Sequence, residues 1–241
     1  MKIKIGFWIL YKLLTDSILK MRDVAYFELI DDYSDYHKNR DNLRSRLERA
    51  EIISAWIEPG SKIADLGCGS GTIAEYLRNN NITSDMRCYD LATKNLDDVK
   101  SKGFKTEAID LENEKNEILN EDFDYILLLD VIEHLINPHK VLIKFARMAR
   151  KGLIVSIPNS GYLPFRMQLL RGIFPRQSFT HLHFWTYKDF LIFCDKLNIE
   201  IVDFKHEKYE RGILPGFFYK YFKNMTCQHL YFLLRPKNKI P

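Results

Sequence analysis

The sequence predicts an α/β fold: a doubly wound, mostly parallel sheet of seven strands with helices on both faces. Three observations predict it. Short apolar runs alternate with segments whose apolar residues recur at helical spacing. One run, "FDYILLLD" at 123–130, is almost continuously apolar, as strands covered on both sides are. The first strand also runs straight into "LGCGSGT", where glycine stands at alternate positions (Gly67, Gly69 and Gly71) just ahead of a helical segment.

The elements follow in chain order. Leu43, Leu47, Ala50, Ile53 and Ile57 share a helical face, and "EPG" at 58–60 ends that helix. A strand at 62–66 enters the glycine loop, and a helix at 72–78 stops in "NNN". Next come a strand at 87–90, a helix at 93–102 closed by Gly103, and a strand at 105–110. After the apolar run, Asn137 is placed as N-cap and Pro138 in the first helical turn. Arg147, Arg150 and Lys151 gather at the far end of that helix, where its dipole favours cations. "LIVSIP" at 153–158 is a strand. Beyond a long connection at 159–185, "TYKDFLIFCDKLN" reads as a helix, and "IEIVDF" and "HLYFLLR" as the last two strands.

The length of 241 residues, with 46% hydrophobic and 28% charged residues, suits one large domain with decorations. The expected division is a basic amphipathic extension and lid at 1–42 and one domain at 43–241. Within the domain, 159–185 forms an acceptor-site cap and 205–241 a basic aromatic segment that includes the last strand. Cys68, Cys88, Cys194 and Cys227 form no CxxC pair, which argues against a zinc or disulfide framework and fits a cytoplasmic setting. The opening "MKIKIGFWILYKLLTDSILKM" has too short an uncharged run for a signal segment or for the ~20 apolar residues of a membrane span.

Charge is uneven. Residues 1–22 carry a net +4 and 205–241 a net +6, against +4 for the whole chain. Both ends also hold aromatics, as in "GFFYKYF" at 216–222. Such mixtures suit peripheral contact with the anionic inner membrane face, or an ordinary solvated face around a terminal strand. The charges form no continuous basic run, so no nucleic-acid partner is expected.

A glycine loop between strand and helix serves either a dinucleotide or an adenosyl sulfonium. The dinucleotide pattern is G-x-G-x-x-G, but here Thr72 stands where its third glycine belongs. Asp65, just before the loop, would repel a pyrophosphate and suits a cation. Asp90 ends the second strand, 19 residues after Gly71, where a carboxylate can accept both ribose hydroxyls. Both features speak against a nicotinamide-dependent oxidoreductase.

"IADLGCGSG", "DLATKN", "FDYILLLDVIEHLINPHKVL" and "GLIVSIPN" resemble the core motifs of class I S-adenosylmethionine-dependent methyltransferases, over about residues 45–205. "AWIEPGSKIADLGCGSG", "IVSIPNSGYLPFRMQLLRGIFP" and "HFWTYKDF" are similar to the MetW-like methyltransferase-domain family. The chain departs from that family in its basic N-terminal extension, its aromatic tail and the acidic–His pair in "VIEHLINPH". The resemblance implies a Rossmann-like fold and S-adenosylmethionine as cofactor. It implies that Asp65, Gly67, Cys68, Gly69 and Gly71 line the methionine end and that Asp90 and Leu91 lie at the ribose. Asp110 and Leu111 would lie at the adenine, and Asp130 would border the amino-acid end.

In such chemistry the cofactor carries the electrophile and the protein orients the acceptor. A hydroxyl acceptor also needs a base. His134, just past the fourth strand, is the first candidate; its alternative role is a bond to nearby backbone. Glu133 either orients His134 or binds a metal with it. The sequence supplies too few further ligands, so no metal is expected. The 159–185 connection offers Asn159, Tyr162, Arg166, Arg171, Arg176, His181 and His183, either as an acceptor pocket or as an amphipathic surface. Tyr36 and Arg40 are placed in the lid. The leading expectation is O-methylation of a small metabolite, sugar, or glycan or lipid precursor. The alternative is a MetW-like non-catalytic partner of an acyltransferase in methionine biosynthesis.

Overall fold

In the computed structural model, residues 43–83, 85–113, 122–175, 180–207 and 223–237 are described. The expected lid with Tyr36 and Arg40, Arg176, and the aromatic run at 216–222 lie outside them.

The order is helix α1 (Leu43–Ser54), β1 (Ile63–Leu66), α2 (Thr72–Asn79), β2 (Met86–Asp90), α3 (Thr93–Ser101), β3 (Lys105–Ala108) and β4 (Tyr125–Leu129). A 3-10 turn (Ile132–His134), α4 (Pro138–Met148), β5 (Gly152–Pro158), α5 (Leu163–Leu169), α6 (Tyr187–Lys196), β6 (Ile199–His206), α7 (Lys223–Thr226) and β7 (His229–Pro236) complete it. The seven strands lie in the order β3-β2-β1-β4-β5-β7-β6. The first five are mutually parallel, and β7 runs antiparallel between β5 and β6.

The sheet separates two apolar cores, and the strand pleat assigns residues to them. Ile126 and Leu128 of β4 join Ala64, Leu66, Val155 and Phe232 on the face covered by Phe145 of α4 and Phe190 of α6. Tyr125, Leu127 and Leu129 join Ile63, Cys88, Ile154 and Leu233 on the face covered by Ile53 of α1, Leu77 of α2 and Val99 of α3. Both faces of β4 are therefore dry, which is why its sequence shows no alternation of apolar and polar residues. At the edge, β3 is mostly exposed. Among the described residues no helix is long and apolar enough to cross a membrane.

One expectation about helix ends is met in part and one needs correction. Asn137 makes no side-chain capping bond to α4. It does occupy the N-cap position, with Pro138 in the first turn, and the Glu112 carboxylate holds the approach to the helix by accepting the amides of Ile136 (3.0 Å) and Asn137 (2.6 Å). Arg150 and Lys151 lie beyond the last turn of α4, leaving Arg147 as its basic residue. Lys151 pairs with Glu58 at 2.5 Å. A reciprocal capping box between Thr186 and Asp189 opens α6.

The core on the α4–α6 face hinges on Phe232, fully buried against Phe190 at 4.5 Å and Phe204 at 5.2 Å between ring centroids. Replacing Phe232 with alanine is expected to cost about 3–5 kcal/mol, read as a lowered urea midpoint at unchanged slope. A cost below about 1 kcal/mol would mean that this cluster is not a packed core.

Candidate functional site

The strand order reverses between β1 and β4, so the helices that follow them leave on opposite faces and open a crevice at the strand tips. The glycine loop lines it. Gly67 has φ +83°, and a Cβ there would fall 2.5 Å from Cγ2 of Val131, just past β4. At Gly71, φ +74°, a Cβ would fall 2.9 Å from Val99. Gly71 is buried, whereas Gly67 is exposed and leaves its backbone at the surface beside Val131. Gly69 is different: nothing among the described residues lies within 4 Å of its Cβ position. Half-buried Gly69 is thus the one of the three at which a side chain would meet nothing among the described residues.

Asp65, on β1, is 2% exposed, and its Oδ2 is buried without a hydrogen-bond partner among the described residues. Burial, and then the nearby Asp90 charge, push its carboxyl up to about 7. Asp90 ends β2 and already holds the loop in shape. Its Oδ2 accepts the amide of Gly69 and its Oδ1 the amide of Ala92, both at 2.8 Å. Each carboxylate oxygen keeps a second lone pair for an incoming hydroxyl. Lys102 closes the back of the loop, donating to the Ser70 carbonyl at 2.8 Å and to Glu75 at 2.9 Å.

The remaining cofactor candidates are less uniform. Cys68 is buried, and its thiol is pushed far up by a hydrogen bond with Cys88 and by burial. Leu91 is 74% exposed at the β2 tip. Asp110 is exposed and turns its own loop by accepting the Glu112 amide at 3.0 Å. Leu111 is half-buried and packs on the α4-face core.

Asp130 has the left-handed φ of +54° and sits in a charged network. Arg49 of α1 meets its Oδ2 at 2.9 Å, Ser156 donates to its Oδ1 at 2.6 Å, and His229 lies 3.7 Å from Oδ2. Burial alone would raise this carboxyl; Arg49, His229 and Ser156 overcome it and hold it below the usual range. His229 also donates to Glu207 at 2.8 Å, as does Tyr231 at 3.2 Å. Arg49, His229 and Glu207 were not singled out in the sequence, because nothing in their local pattern marks them.

Glu133 and His134 form the 3-10 turn after β4. Glu133 is 0% exposed, and neither carboxylate oxygen has a hydrogen-bond partner among the described residues. Burial, and then the charge of Asp130, push its carboxyl well above the usual range. His134 Nδ1 lies 3.2 Å from the Thr180 carbonyl, and its ring packs edge-on against His181 at 4.7 Å. His181 Nε2 lies 3.9 Å from Glu133 Oε1. The structure therefore brings His181 to Glu133 and His134, while His183 is held apart. His183 Nε2 donates to the Leu135 carbonyl at 2.9 Å, and its ring stacks on Trp185.

The other acceptor-pocket candidates act within the cap itself. Asn159 is fully buried: its amide nitrogen donates to the Cys227 carbonyl at 2.8 Å and its Oδ1 accepts from Gly161 at 2.9 Å. Exposed Arg166 donates to the Gly161 carbonyl at 2.8 Å. Tyr162 is half-buried against Phe165. Leu170, Ile173, Phe174 and Leu182 leave an exposed apolar surface on the same segment.

The comparisons with known proteins bear on this architecture. The fold is shared with a SAM-dependent methyltransferase from Archaeoglobus fulgidus, TM-score 0.61 and 14% identity, covering 84% of this chain and 99% of that one. It is also shared with magnesium protoporphyrin IX methyltransferase from Synechocystis with bound SAH, TM-score 0.57 and 14% identity, covering 90% and 94%. A chain from the Haloferax volcanii complex of the Trm112 methyltransferase activator with a methyltransferase matches at TM-score 0.63 and 12% identity, covering 88% and 99%. The bifunctional methionine biosynthesis protein MetXA/MetW of Rhodopirellula baltica is 23% identical over 163 residues, 63% of this chain. The chain spans 26% of that relative's length. The model of the family described as methionine biosynthesis protein MetW matches residues 46–234. With that match across the glycine loop, both strand tips and β7, the chain belongs to the MetW family.

Proposed function

We propose that this protein binds S-adenosylmethionine at the tips of β1 and β2 and transfers its methyl group to a hydroxyl of a small acceptor. The acceptor class is a metabolite, sugar, or glycan or lipid precursor. One observation carries the reading: among the described residues, a buried carboxylate oxygen of Asp65 lacks a partner, beside a loop in which nothing lies within 4 Å of the Gly69 Cβ position. An unpartnered buried carboxylate is costly unless a cation completes it. The bound cofactor supplies a sulfonium-activated methyl group and an ammonium.

The residues have separable tasks. Asp65 faces the positive part, Asp90 accepts ribose hydroxyls with its remaining lone pairs, and the Gly69 backbone allows close approach. Cys68, Leu91, Asp110, Leu111 and Asp130 border the rest of the cofactor, and Tyr162, Arg166, His181 and His183 the acceptor. A donor role of His134 Nδ1 toward the Thr180 carbonyl places the ring's lone pair on Nε2, the form a general base needs. His134 takes the acceptor's hydroxyl proton as that oxygen bonds to the methyl carbon and the carbon–sulfur bond breaks, leaving S-adenosylhomocysteine.

A second reading has specific support. The Rhodopirellula relative carries MetXA and MetW in one name, and the cap exposes Leu170, Ile173, Phe174 and Leu182. Both suit a binding partner of a methionine-pathway acyltransferase. Methyl transfer to a metabolite, with no acyltransferase recovered in a pull-down, would set it aside.

Calorimetric titration with S-adenosylmethionine and S-adenosylhomocysteine tests the first reading, and absence of heat for both at millimolar ligand would end it. Asp65→Asn is expected to weaken S-adenosylmethionine roughly tenfold to a hundredfold. Since the Asp65 carboxyl loses its proton only near pH 7, wild-type affinity for the cation should rise as pH increases through neutrality, and the variant should lose that rise.

Without ligand the sign reverses. The folded chain keeps a proton on Asp65 that the unfolded chain has released, so stability should fall as pH rises from about 4 to about 7. Asp65→Asn should flatten that fall in pH-resolved urea melts. Replacing His134 with glutamine should lower methyl transfer about 100- to 10,000-fold while leaving S-adenosylhomocysteine affinity intact; a parallel loss of affinity would assign it to cofactor binding.

A further inference from the structure

We propose that Glu133, His134 and His181 form a binding site for one divalent first-row transition-metal ion. One carboxylate oxygen and one imidazole nitrogen from each histidine lie within 4.8 Å of one another. On a tetrahedral ion, ligands bonded at about 2.1 Å stand about 3.4 Å from one another, so side-chain rotations that draw the atoms together by up to about 1.4 Å close the set.

Three features point to an ion rather than to a chance cluster. Glu133 is fully buried, and both of its carboxylate oxygens lack hydrogen-bond partners among the described residues. His181 Nε2 stands 3.9 Å from Oε1, too far for a hydrogen bond and about half an ångström beyond the spacing of two ligands on one tetrahedral ion. His134 has the outer contact usual for a metal-bound imidazole, Nδ1 against the Thr180 carbonyl, which directs Nε2 inward as a ligand. Asp130 is not a fourth ligand, because its oxygens are engaged by Arg49, Ser156 and His229.

The donor set selects the ion. Two imidazoles and one carboxylate suit zinc, iron(II), cobalt(II) or manganese(II) rather than magnesium or calcium, which prefer oxygen. Three protein ligands leave coordination positions for water or for acceptor oxygens. The site borders the glycine loop through Val131, the side chain that packs on Gly67. An acceptor hydroxyl on the ion would have its pKa lowered and release its proton to solvent. His134 would then be a ligand rather than the base assigned above. The sequence did not reveal the site because its third ligand lies 47 residues beyond the adjacent pair.

Direct metal binding tests this independently of the cofactor. Chelator-treated full-length chain is titrated with cobalt(II) and zinc(II), by calorimetry and visible absorption. One ion per chain is expected, with no thiolate charge-transfer band. Glu133→Gln, His134→Ala and His181→Ala should each weaken it at least tenfold, whereas His183→Ala should retain it. Glu133→Gln should fold normally, since a neutral amide is the cheaper buried group, and thermal melting checks this. Binding that is undiminished in a folded Glu133→Gln/His181→Ala double variant, a thiolate band implicating Cys68 or Cys88, or no binding at all would overturn the site.

Discussion

The close approach of Gly67 to Val131 is the constraint on which the site depends. It joins the tips of β1 and β4, the two strands between which the sheet changes winding direction. With a side chain at Gly67 the tips could not meet, and its left-handed φ would also be strained. From that junction the chain positions Asp65 on one side and the Glu133–His134 turn on the other. The central strands hold the junction rigid because β4 and β5 are buried along their whole length.

The carboxylates at the strand tips divide by how completely the protein itself satisfies them. Asp130 meets an arginine, a serine and a histidine, and remains charged. Asp90 holds two backbone amides. Asp65 and Glu133 are buried more deeply, and have oxygens that no donor reaches among the described residues. A protein interior seldom tolerates such a group without a use for it. The first pair acts as framework and the second pair as unfinished valence. Burial and bonding partners separate them alike: the framework pair is half-buried and bonded, the other pair fully buried and unbonded among the described residues.

The fold was legible because it is written in local signals. Apolar runs, helical spacing and the glycine turn predicted all seven strands, with end errors of one or two residues. The bonding at the helix ends was harder: Asn137 takes the N-cap position without a side-chain bond, while Glu112 reaches across from the loop after β3 to the amides of Ile136 and Asn137. In the candidate site, Asp65, Asp90, Glu133 and His134 were legible because each sits at a strand end. Arg49, His229 and Glu207 were not, because they gather around Asp130 only after α1 and β7 pack on the sheet. Asn159 and Arg166, read from the sequence as pocket residues, also tie the cap to itself and to the Cys227 carbonyl.

The cap is stitched to the turn by main-chain bonds: the amides of Leu182 and His183 both reach the Glu133 carbonyl, at 2.8 and 3.2 Å. These bonds tie the 180–185 end of the cap to the turn. If a molecule docked on the cap shifts Leu182 or His183, the change passes to the β4 tip through these bonds, and a ligand at that tip then alters docking by the same free energy. Reciprocal coupling of this kind would let a macromolecular visitor and a small molecule regulate each other without sharing a single contact.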